Sequence, residues 1–342
     1  MASSQKLITR RYLAILAVTL VAVVCFFLFK PGARHTFKLS GVVWTTDYHI
    51  TYQGKIDLND SVQAVLNAVD MSASVYNEKS VISAINAGRS DAMDACLKQL
   101  YEASLKVHKA SGGAFDPTVM PLVNAWGFGY KNGQLPTQTQ LDSILQFVGL
   151  EKTRLEQNRI VKQDSRTQFD FSSIAKGYAC DEIGRMLERN GVENYMVEIG
   201  GEVAVKGVSP RGDKWNVSVD MPQSDPNGVH HESVMTLSLE DGGVATSGNY
   251  RKYKEVAGKR ISHIVNPKTG MSEESTLLSV TITAPDCMTA DAWATACMAM
   301  GTEKTQALME NEKKMGVMTI ATTTNGSYEV WSNKAFASQV AR

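Results

Sequence analysis

The stretch that most constrains the fold is Asp170-Phe171-Ser172-Ser173-Ile174-Ala175-Lys176-Gly177-Tyr178. It is typical of the end of a β-strand, a tight turn of small residues and the start of an α-helix. We expect Ser172 or Ser173 to cap that helix by accepting a hydrogen bond from an unpaired backbone N–H. Gly191 marks the predicted end of the helix. A domain that contains this stretch has to combine strands with helices.

Phosphate binding suits such a helix start, because unpaired N–H groups at a helix N-terminus favour an anion. Lys176, one turn into the helix, adds a cation. Taken alone, the stretch is still more typical of an ordinary strand-to-helix connection with a surface lysine. Other stretches of the chain have to decide between the two interpretations.

Strands and helices are mixed along the rest of the chain. Apolar periodicity predicts helices that start near Leu58 and Ala290, the second with Thr289 as its N-cap, and further helices over 91–110 and 141–148. Strands or hairpins are predicted over 39–52, 153–163, 195–199, 203–205, 215–219, 234–239, 277–283, 316–322 and 327–331. Small-residue turns are predicted at 242–251 and, after a strand, at 266–270. The fold class is therefore α+β, in one large domain or two intimate halves.

Composition excludes several function classes. The chain has 342 residues, 43% hydrophobic and 20% charged, which is typical of a globular protein. Lysine plus arginine equals aspartate plus glutamate at 35 each, so no basic surplus points to nucleic acid. The five cysteines include no CxxC pair, so neither a zinc site nor a disulfide framework is expected.

A membrane anchor is predicted at the N-terminus. Residues 12–29 carry no charge, and at 1.5 Å per residue they span about 27 Å, close to the thickness of a bilayer core. This run is a transmembrane helix or an uncleaved signal, and lipidation at Cys25 is the less favoured alternative. The basic residues within 1–11 place that segment in the cytoplasm. The polar linker 30–38 and the domain 39–342 then lie outside, on the periplasmic face of the inner membrane.

Asp291 and Thr295 form the clearest candidate metal site. They are four residues apart on a predicted helix and share a face. A carboxylate and a hydroxyl are hard oxygen ligands that suit Mg²⁺. An acidic residue that complements the helix dipole is the simpler interpretation of Asp291. Lys176 and Arg251 are further groups that suit a phosphate, although the chain has no Walker loop and no GxGxxG after a strand.

Six motifs occur together and in order along the chain. They are Gly113-Ala114-Phe115-Asp116-Pro117-Thr118, Asp170 to Tyr178, Val197-Glu198-Ile199-Gly200-Gly201-Glu202, Thr246-Ser247-Gly248-Asn249-Tyr250-Arg251, Ser262-His263-Ile264-Val265-Asn266-Pro267-Lys268-Thr269-Gly270 and Thr289-Ala290-Asp291-Ala292-Trp293-Ala294-Thr295. In this order they resemble the FAD:protein FMN transferases, the ApbE-type flavin transferase family. The resemblance covers roughly residues 40–335.

The resemblance implies an activity. Family members bind FAD and Mg²⁺, transfer FMN onto a Thr or Ser hydroxyl of a partner protein as a phosphoester, and release AMP. Acceptors in the family are subunits of membrane redox complexes, such as the sodium-pumping quinone reductase and its Rnf-type relatives. Some members instead hydrolyse FAD to FMN and AMP. The family's domain lies outside the cytoplasmic membrane, which agrees with the predicted topology.

The resemblance also implies roles for individual residues. Asp291 and Thr295 match side-chain metal ligands, and Ser173 matches a ligand that acts through its backbone carbonyl. Flavin-contacting positions are matched by Tyr76, Ala114, Phe115, Asp116, Asp170, Lys176 and Val265. Trp44 stands where the family usually has Met-Gly-Thr, and Ala294 stands where some relatives carry a second aspartate.

Two residues are candidates for the base that accepts the proton of the attacking hydroxyl, Asp291 and His263. A metal-bound carboxylate is a poor base, so His263 stays a candidate for this role. His263 alternates with apolar neighbours, so a half-buried structural histidine is the alternative. Two other functions stay open as well: a Mg²⁺-dependent FAD pyrophosphatase with the same site, and a membrane-tethered protein that binds FAD without reacting.

Overall fold

The structure, a computed structural model, describes residues 19, 35–128, 135–222, 233–249, 253–256, 259–262, 264–272, 276–323 and 325–341. The chain divides into two compact units, Met1–His35 with Gly54–Asp57, and Thr36–Gln53 with Leu58–Arg342. In the first unit the structure describes Thr19, His35 and 54–57. The second unit contains the site and all other described residues.

The described strands are β1 (His35–Val43), β2 (Thr46–Gly54), β3 (Thr153–Glu156), β4 (Arg159–Lys162), β5 (Tyr195–Ile199), β6 (Glu202–Lys206), β7 (Trp215–Asp220), β8 (Ser233–Leu239), β9 (Gly242–Gly248), β10 (Tyr253–Val256), β11 (Lys259–Ser262), β12 (Leu277–Ala284), β13 (Gly316–Thr322) and β14 (Tyr328–Ser332). The described helices are α1 (Asn59–Ala73), α2 (Val81–Asn86), α3 (Ala95–Ala110), α4 (Met120–Ala125), α5 (Gln138–Leu145), α6 (Ser172–Arg189), α7 (Cys287–Met300), α8 (Thr302–Met309) and α9 (Lys334–Ala337).

A central sheet organises the described part of the chain. Its strand order is β1-β2-β5-β6-β9-β12-β13-β14, and the registered pairs from β2 through to β14 are antiparallel. Three further antiparallel pairs, β3 with β4, β7 with β8 and β10 with β11, form separate two-stranded sheets. Strands and helices are mixed in one architecture, so the predicted α+β class is confirmed.

Both faces of the sheet are buried. Successive strand side chains point to opposite sides, and each side packs against other elements. On one face Val197 and Val280 join a core with residues of α1, α6 and α7, such as Val62 and Ile183. On the other face Val203, Val205, Met318 and Ile320 pack against the β7–β8 pair. A smaller cluster forms around Leu122, Trp126, Leu141, Val148 and Val265.

Most predicted elements are confirmed within a few residues, but the helices α2, α4, α8 and α9 were not predicted. The other errors concern caps and glycines. The helix start near Ser172 is not capped by Ser172 or Ser173, because the N-cap position falls on Phe171 without a side-chain bond. Instead Asp170 Oδ1 accepts the Ser172 N–H at 2.8 Å.

The cap of α7 was also assigned wrongly. Asp286, not Thr289, is its N-cap, and its side chain accepts the Thr289 N–H at 2.7 Å. The helix consequently begins at Cys287, three residues before the predicted start at Ala290.

The predicted small-residue turn at 242–251 is wrong for its first seven residues, which form β9. A Cβ at Gly243 would lie 2.3 Å from the backbone of Cys287. The small residues therefore serve the close approach of α7 to the sheet and not a turn.

The membrane anchor falls almost entirely outside the described residues. Within the residues that the structure does describe, none of the helices combines the length and the apolar character needed to cross a bilayer. The anchor at 12–29 and the periplasmic location remain predictions, whereas the predicted linker at 30–38 is wrong for its last four residues, which belong to β1.

Candidate active site

The candidate site lies where α6 crosses α7, and Gly177 makes that crossing possible. A Cβ at Gly177 would lie 2.4 Å from the Cys287 carbonyl oxygen and 2.8 Å from Asp291 Cβ. The Gly177 N–H donates to Asp291 Oδ2 at 3.0 Å. Glycine therefore lets the backbone of α6 fix the carboxylate of Asp291 directly.

An ion pair lies beside this contact. Lys176 Nζ donates to Glu202 Oε2, and Glu202 is the first residue of β6. Only 4% of the Glu202 side chain is exposed, whereas 33% of the Lys176 side chain is. Burial raises the pKa of Glu202 to about 7, and the positive charge of Lys176 opposes that rise. The side chain of Lys176 is thus partly accessible to solvent, whereas that of Glu202 is not.

Asp291 is a second carboxylate at this place, and among the described residues only one of its two oxygens accepts a hydrogen bond. It is 3% exposed, and burial raises its pKa although Lys176 and the Gly177 N–H lower it. Among the described residues, no donor reaches its other oxygen, Oδ1. With both carboxylates ionised, Lys176, Glu202 and Asp291 together carry one negative charge in excess, which favours a bound cation.

Two further oxygen donors lie at the same crossing. Thr295 is one turn after Asp291, and its Oγ1 lies 3.3 Å from Ser247 Oγ on β9. Ser173 precedes Gly177 by four residues on α6, and the Gly177 N–H, which in a regular helix would bond the Ser173 carbonyl, donates to Asp291 Oδ2. Ser173, Asp291 and Thr295 therefore belong to the same helix crossing, and their joint binding of a metal remains a prediction.

The start of α6 is less open to a phosphate than its sequence predicts. The N–H of Ser172 is held by Asp170, and the N–H groups of Ile174 and Ala175 donate to the Phe171 carbonyl at 3.0 and 2.9 Å. These three donors are satisfied within the chain. On this element, Lys176 is therefore the predicted phosphate contact that these hydrogen bonds leave open.

The loop with Ala114, Phe115 and Asp116 is anchored by its own side chains. Asp116 accepts the N–H and hydroxyl of Thr118 at 2.8 and 2.6 Å, and the N–H of Leu150 at 2.9 Å. Burial raises the pKa of Asp116 against these bonds, and Phe115 is 1% exposed. A flavin contact from Phe115 or Asp116 would consequently involve backbone atoms.

Asp170 connects this loop to the site. Its N–H donates to the Pro117 carbonyl at 2.7 Å. Tyr76 is 67% exposed, and its pKa is raised by partial burial and by the negative charge of Asp170. The predicted flavin positions Tyr76, Asp116 and Asp170 therefore belong to adjoining loops.

Trp44 is linked to the residues around Tyr76 by Asp70, to which the sequence analysis gave no role. Trp44 Nε1 donates to Asp70 Oδ1 at 3.1 Å, and Asn77 Nδ2 donates to Asp70 Oδ2 at 2.6 Å. Asp70 thus ties the β1–β2 turn to the residue next to Tyr76. Trp44 and Thr45 have φ of 50° and 67°, as a tight two-residue hairpin turn requires.

Val265, in the segment 264–272, is buried. It is 6% exposed in the small cluster with Trp126, whose Nε1 donates to the Gly270 carbonyl at 2.8 Å. Trp126 therefore fills this cluster. Arg251 and His263, predicted to bind the cofactor and to act as a base, lie outside the described residues.

Glu202 is the site residue to which the sequence analysis assigned no role. The available signal was a glutamate between Gly200-Gly201 and the apolar run Val203-Ala204-Val205. A charged residue at the start of a buried strand needs a partner, and Lys176 supplies it.

A second cluster, of His108, Asp116 and Glu151, could be considered for a metal. Asp116 Oδ2 lies 3.6 Å from His108 Nδ1, whereas Glu151 Oε2 lies 3.6 Å from Nε2 on the other side of the ring. His108 Nδ1 also lies 2.8 Å from the Phe115 carbonyl oxygen, to which it can donate. One ring nitrogen of His108 and one oxygen of each carboxylate nevertheless lie within 4.8 Å of one another, so this cluster is a second group of possible metal ligands.

Comparison with known proteins gives a consistent result. The model of the ApbE family matches residues 44–319. The FAD:protein FMN transferase of Escherichia coli (strain K12) is 31% identical over 95% of this chain and 96% of that protein. The protein of the same name from Vibrio cholerae serotype O1 is 34% identical, over 95% and 97%.

Solved structures agree. The flavin transferase ApbE from Vibrio cholerae superposes with a TM-score of 0.79 at 31% identity, covering 90% of this chain and 99% of that one. The Pseudomonas stutzeri flavinyl transferase ApbE, in its apo form, gives 0.79 at 30% identity, covering 90% and 97%. From the fold, the composition of the site and these matches together, the chain belongs to the ApbE family.

Proposed function

We propose that this protein is an FAD:protein FMN transferase. It moves FMN from FAD to a Thr or Ser hydroxyl of an acceptor protein, forms a phosphoester and releases AMP, with Mg²⁺ as the cofactor. The names of the relatives support the transferase activity. The observation that carries the proposal is the placement of Asp291, Thr295 and the Lys176–Glu202 pair at one helix crossing.

The residues at this crossing fit Mg²⁺. They offer a carboxylate, a hydroxyl and a backbone carbonyl, which are the hard oxygen donors that this ion prefers. Asp291 is buried and lacks a described donor to Oδ1. When it and Glu202 are both ionised, Lys176 balances only one of the two negative charges. Asp291, Thr295 and the carbonyl of Ser173 would hold the ion. When bound, Mg²⁺ supplies charge neutralisation at phosphate oxygens.

The chain's own residues bind and orient the reactants. Lys176, whose side chain is one-third exposed, would bind the pyrophosphate of FAD through its ammonium and stabilise negative charge there. Trp44, Tyr76, Ala114, Asp170 and Val265 are the residues that would contact the flavin. Correct orientation places the acceptor hydroxyl in line with the leaving AMP.

Proton transfer needs a base, because a hydroxyl is a weak nucleophile. Asp291 would be the principal metal ligand, and a metal-bound carboxylate is a poor base. His263 is the remaining candidate, and Arg251 is the candidate for an additional phosphate contact.

Acceptor and location follow from the family resemblance and the predicted anchor. The acceptor is a subunit of a membrane redox complex, of the sodium-pumping quinone reductase or Rnf type. The anchor at 12–29 holds the transferase domain at the periplasmic face of the inner membrane, where such a subunit is accessible.

The test uses the full-length chain in detergent with FAD, Mg²⁺ and an acceptor fragment that carries the threonine motif of a flavinylated subunit. We expect the intact mass of the acceptor to rise by one FMN residue, with equimolar AMP, and chelation to abolish both. Free FMN and AMP with an unmodified acceptor would establish a pyrophosphatase instead. Bound FAD with no AMP would establish a carrier.

A further inference from the structure

Lys176 is paired with one buried carboxylate and is also subject to the charge of a second. Its ammonium donates to Glu202; burial lowers its pKa, but the negative charges of Glu202 and Asp291 outweigh that effect and raise it. The next residue, Gly177, is already in contact with Asp291. The four-carbon stem of a lysine is flexible, and this side chain is one-third exposed, so Asp291, whose charge already acts on Lys176, is the alternative partner.

Glu202 is the rigid member of the ion pair. Its residue pairs with Ile199 in the β5–β6 ladder, and the Cys180 thiol lies 3.3 Å from its carbonyl oxygen. The Gly200-Gly201 turn before it is held by Glu198, whose Oε1 accepts the Gly201 N–H at 2.7 Å. A fixed carboxylate with a flexible lysine determines where the lysine points.

Were Lys176 to pair with Asp291 instead, its ammonium would occupy the place of a cation and neutralise the candidate ligand. Mg²⁺ would then have to displace a buried charge partner before it could bind. The pairing with Glu202 avoids this competition and leaves one carboxylate open.

We infer that Glu202 is a positioning residue that restrains Lys176 and thereby keeps Asp291 open to a divalent cation. The inference rests on the proposed function, because it presumes that the cation binds at Asp291. It assigns to Glu202 no contact with FAD or the acceptor. Its effect on transfer is exerted through Lys176 and Asp291.

The test measures binding of Mn²⁺ to the full-length chain by electron paramagnetic resonance, without any transfer reaction. We expect Glu202→Gln to weaken Mn²⁺ binding by at least about tenfold, as changes next to metal ligands commonly do. Adding Lys176→Met to Glu202→Gln should restore the affinity, because the competing ammonium is gone. A purely structural role of Glu202 would not produce that restoration.

Glu188→Gln is the matched control. Glu188 also joins α6 to β6, through an ion pair with Lys206 at 2.9 Å, and its loss should leave Mn²⁺ binding unchanged. Lys176→Met alone should retain binding, so the inference stays testable if Glu202→Gln does not fold.

Three results would overturn the inference: wild-type affinity in Glu202→Gln, no restoration in the double variant, or loss of binding in Lys176→Met. Absence of Mn²⁺ binding to the wild type would overturn it too. The acceptor mass assay decides the proposed function separately, since FMN transfer by the wild type can occur whatever the Glu202 variants show.

Discussion

Single residues determine how closely the two site helices approach. Gly177 has no side chain where a Cβ would meet the Cys287 carbonyl oxygen at 2.4 Å, and backbone atoms cannot move aside as a side chain can. The same glycine donates its N–H to Asp291. A glycine at this position therefore permits both the close helix packing and the hydrogen bond that holds the Asp291 carboxylate.

Gly177→Ala should therefore destabilise the protein by about 1–3 kcal/mol, the usual cost of overpacking. Urea unfolding measures the change in free energy. Gly184→Ala on the same helix is the matched control, because its Cβ would meet the Tyr195 hydroxyl at 2.6 Å, at the end of a side chain. Equal losses in both variants would contradict a rigid crossing at Gly177.

Asp291 illustrates a conflict between stability and function. Its carboxylate is buried with a raised pKa, so its ionised form costs free energy when no cation is present. Asp291→Asn keeps an oxygen for the Gly177 N–H and should raise the melting temperature in the presence of chelator. FMN transfer should fall at least about a hundredfold, as when a charge-stabilising group is removed. An active Asn variant would remove Asp291 from the site.

At the scale of secondary-structure elements, Asp181 links the two site helices. It lies on α6 and accepts the N–H groups of Cys287 and Met288, each at 2.9 Å, at the start of α7. Burial raises its pKa from 3.8 to about 7 although these bonds lower it. The α6–α7 crossing is thus held by a group that titrates near neutral pH.

The sign of the resulting pH dependence follows from the raised pKa. Folding favours protonated Asp181, so its contribution to stability is complete below about pH 4 and is lost as the pH rises through about 7. Between pH 5 and 8 the free energy of unfolding should fall more in the wild type than in Asp181→Asn. Urea unfolding across this range measures the difference.

The control for this titration is Asp164→Asn. Hydrogen bonds from Arg166 lower the pKa of Asp164 to about 2, so it stays ionised across that range and its variant should keep the wild-type pH dependence. Identical pH profiles for the wild type and Asp181→Asn would contradict the raised pKa.

Elements with a clear apolar period could be predicted from the sequence, as α1 and the β3–β4 hairpin show. Those shaped by distant contacts could not. β9 contains small residues because α7 approaches it at Gly243, and that approach has no local signal. The pairing of Lys176 with Glu202, 26 residues away, is likewise invisible to spacing within one helix.

At the scale of the whole molecule, the antiparallel sheet positions the site. β9 is inserted between β6 and β12, so Glu202 on β6 and Ser247 on β9 are both presented to the α6–α7 crossing. Strand order could not be predicted, because every pairing of antiparallel strands satisfies the same alternation. Four of the sequence motifs, those that contain Ser173, Glu202, Ser247 and Asp291, nevertheless meet at this crossing.

The most direct measurement is anomalous diffraction at the manganese edge from crystals of the full-length chain with FAD and Mn²⁺. We predict a peak bound by Asp291, Thr295 and the Ser173 carbonyl, with the FAD pyrophosphate against it and Lys176. A peak at His108 and Glu151, or FAD bound away from the α6–α7 crossing, would contradict the account.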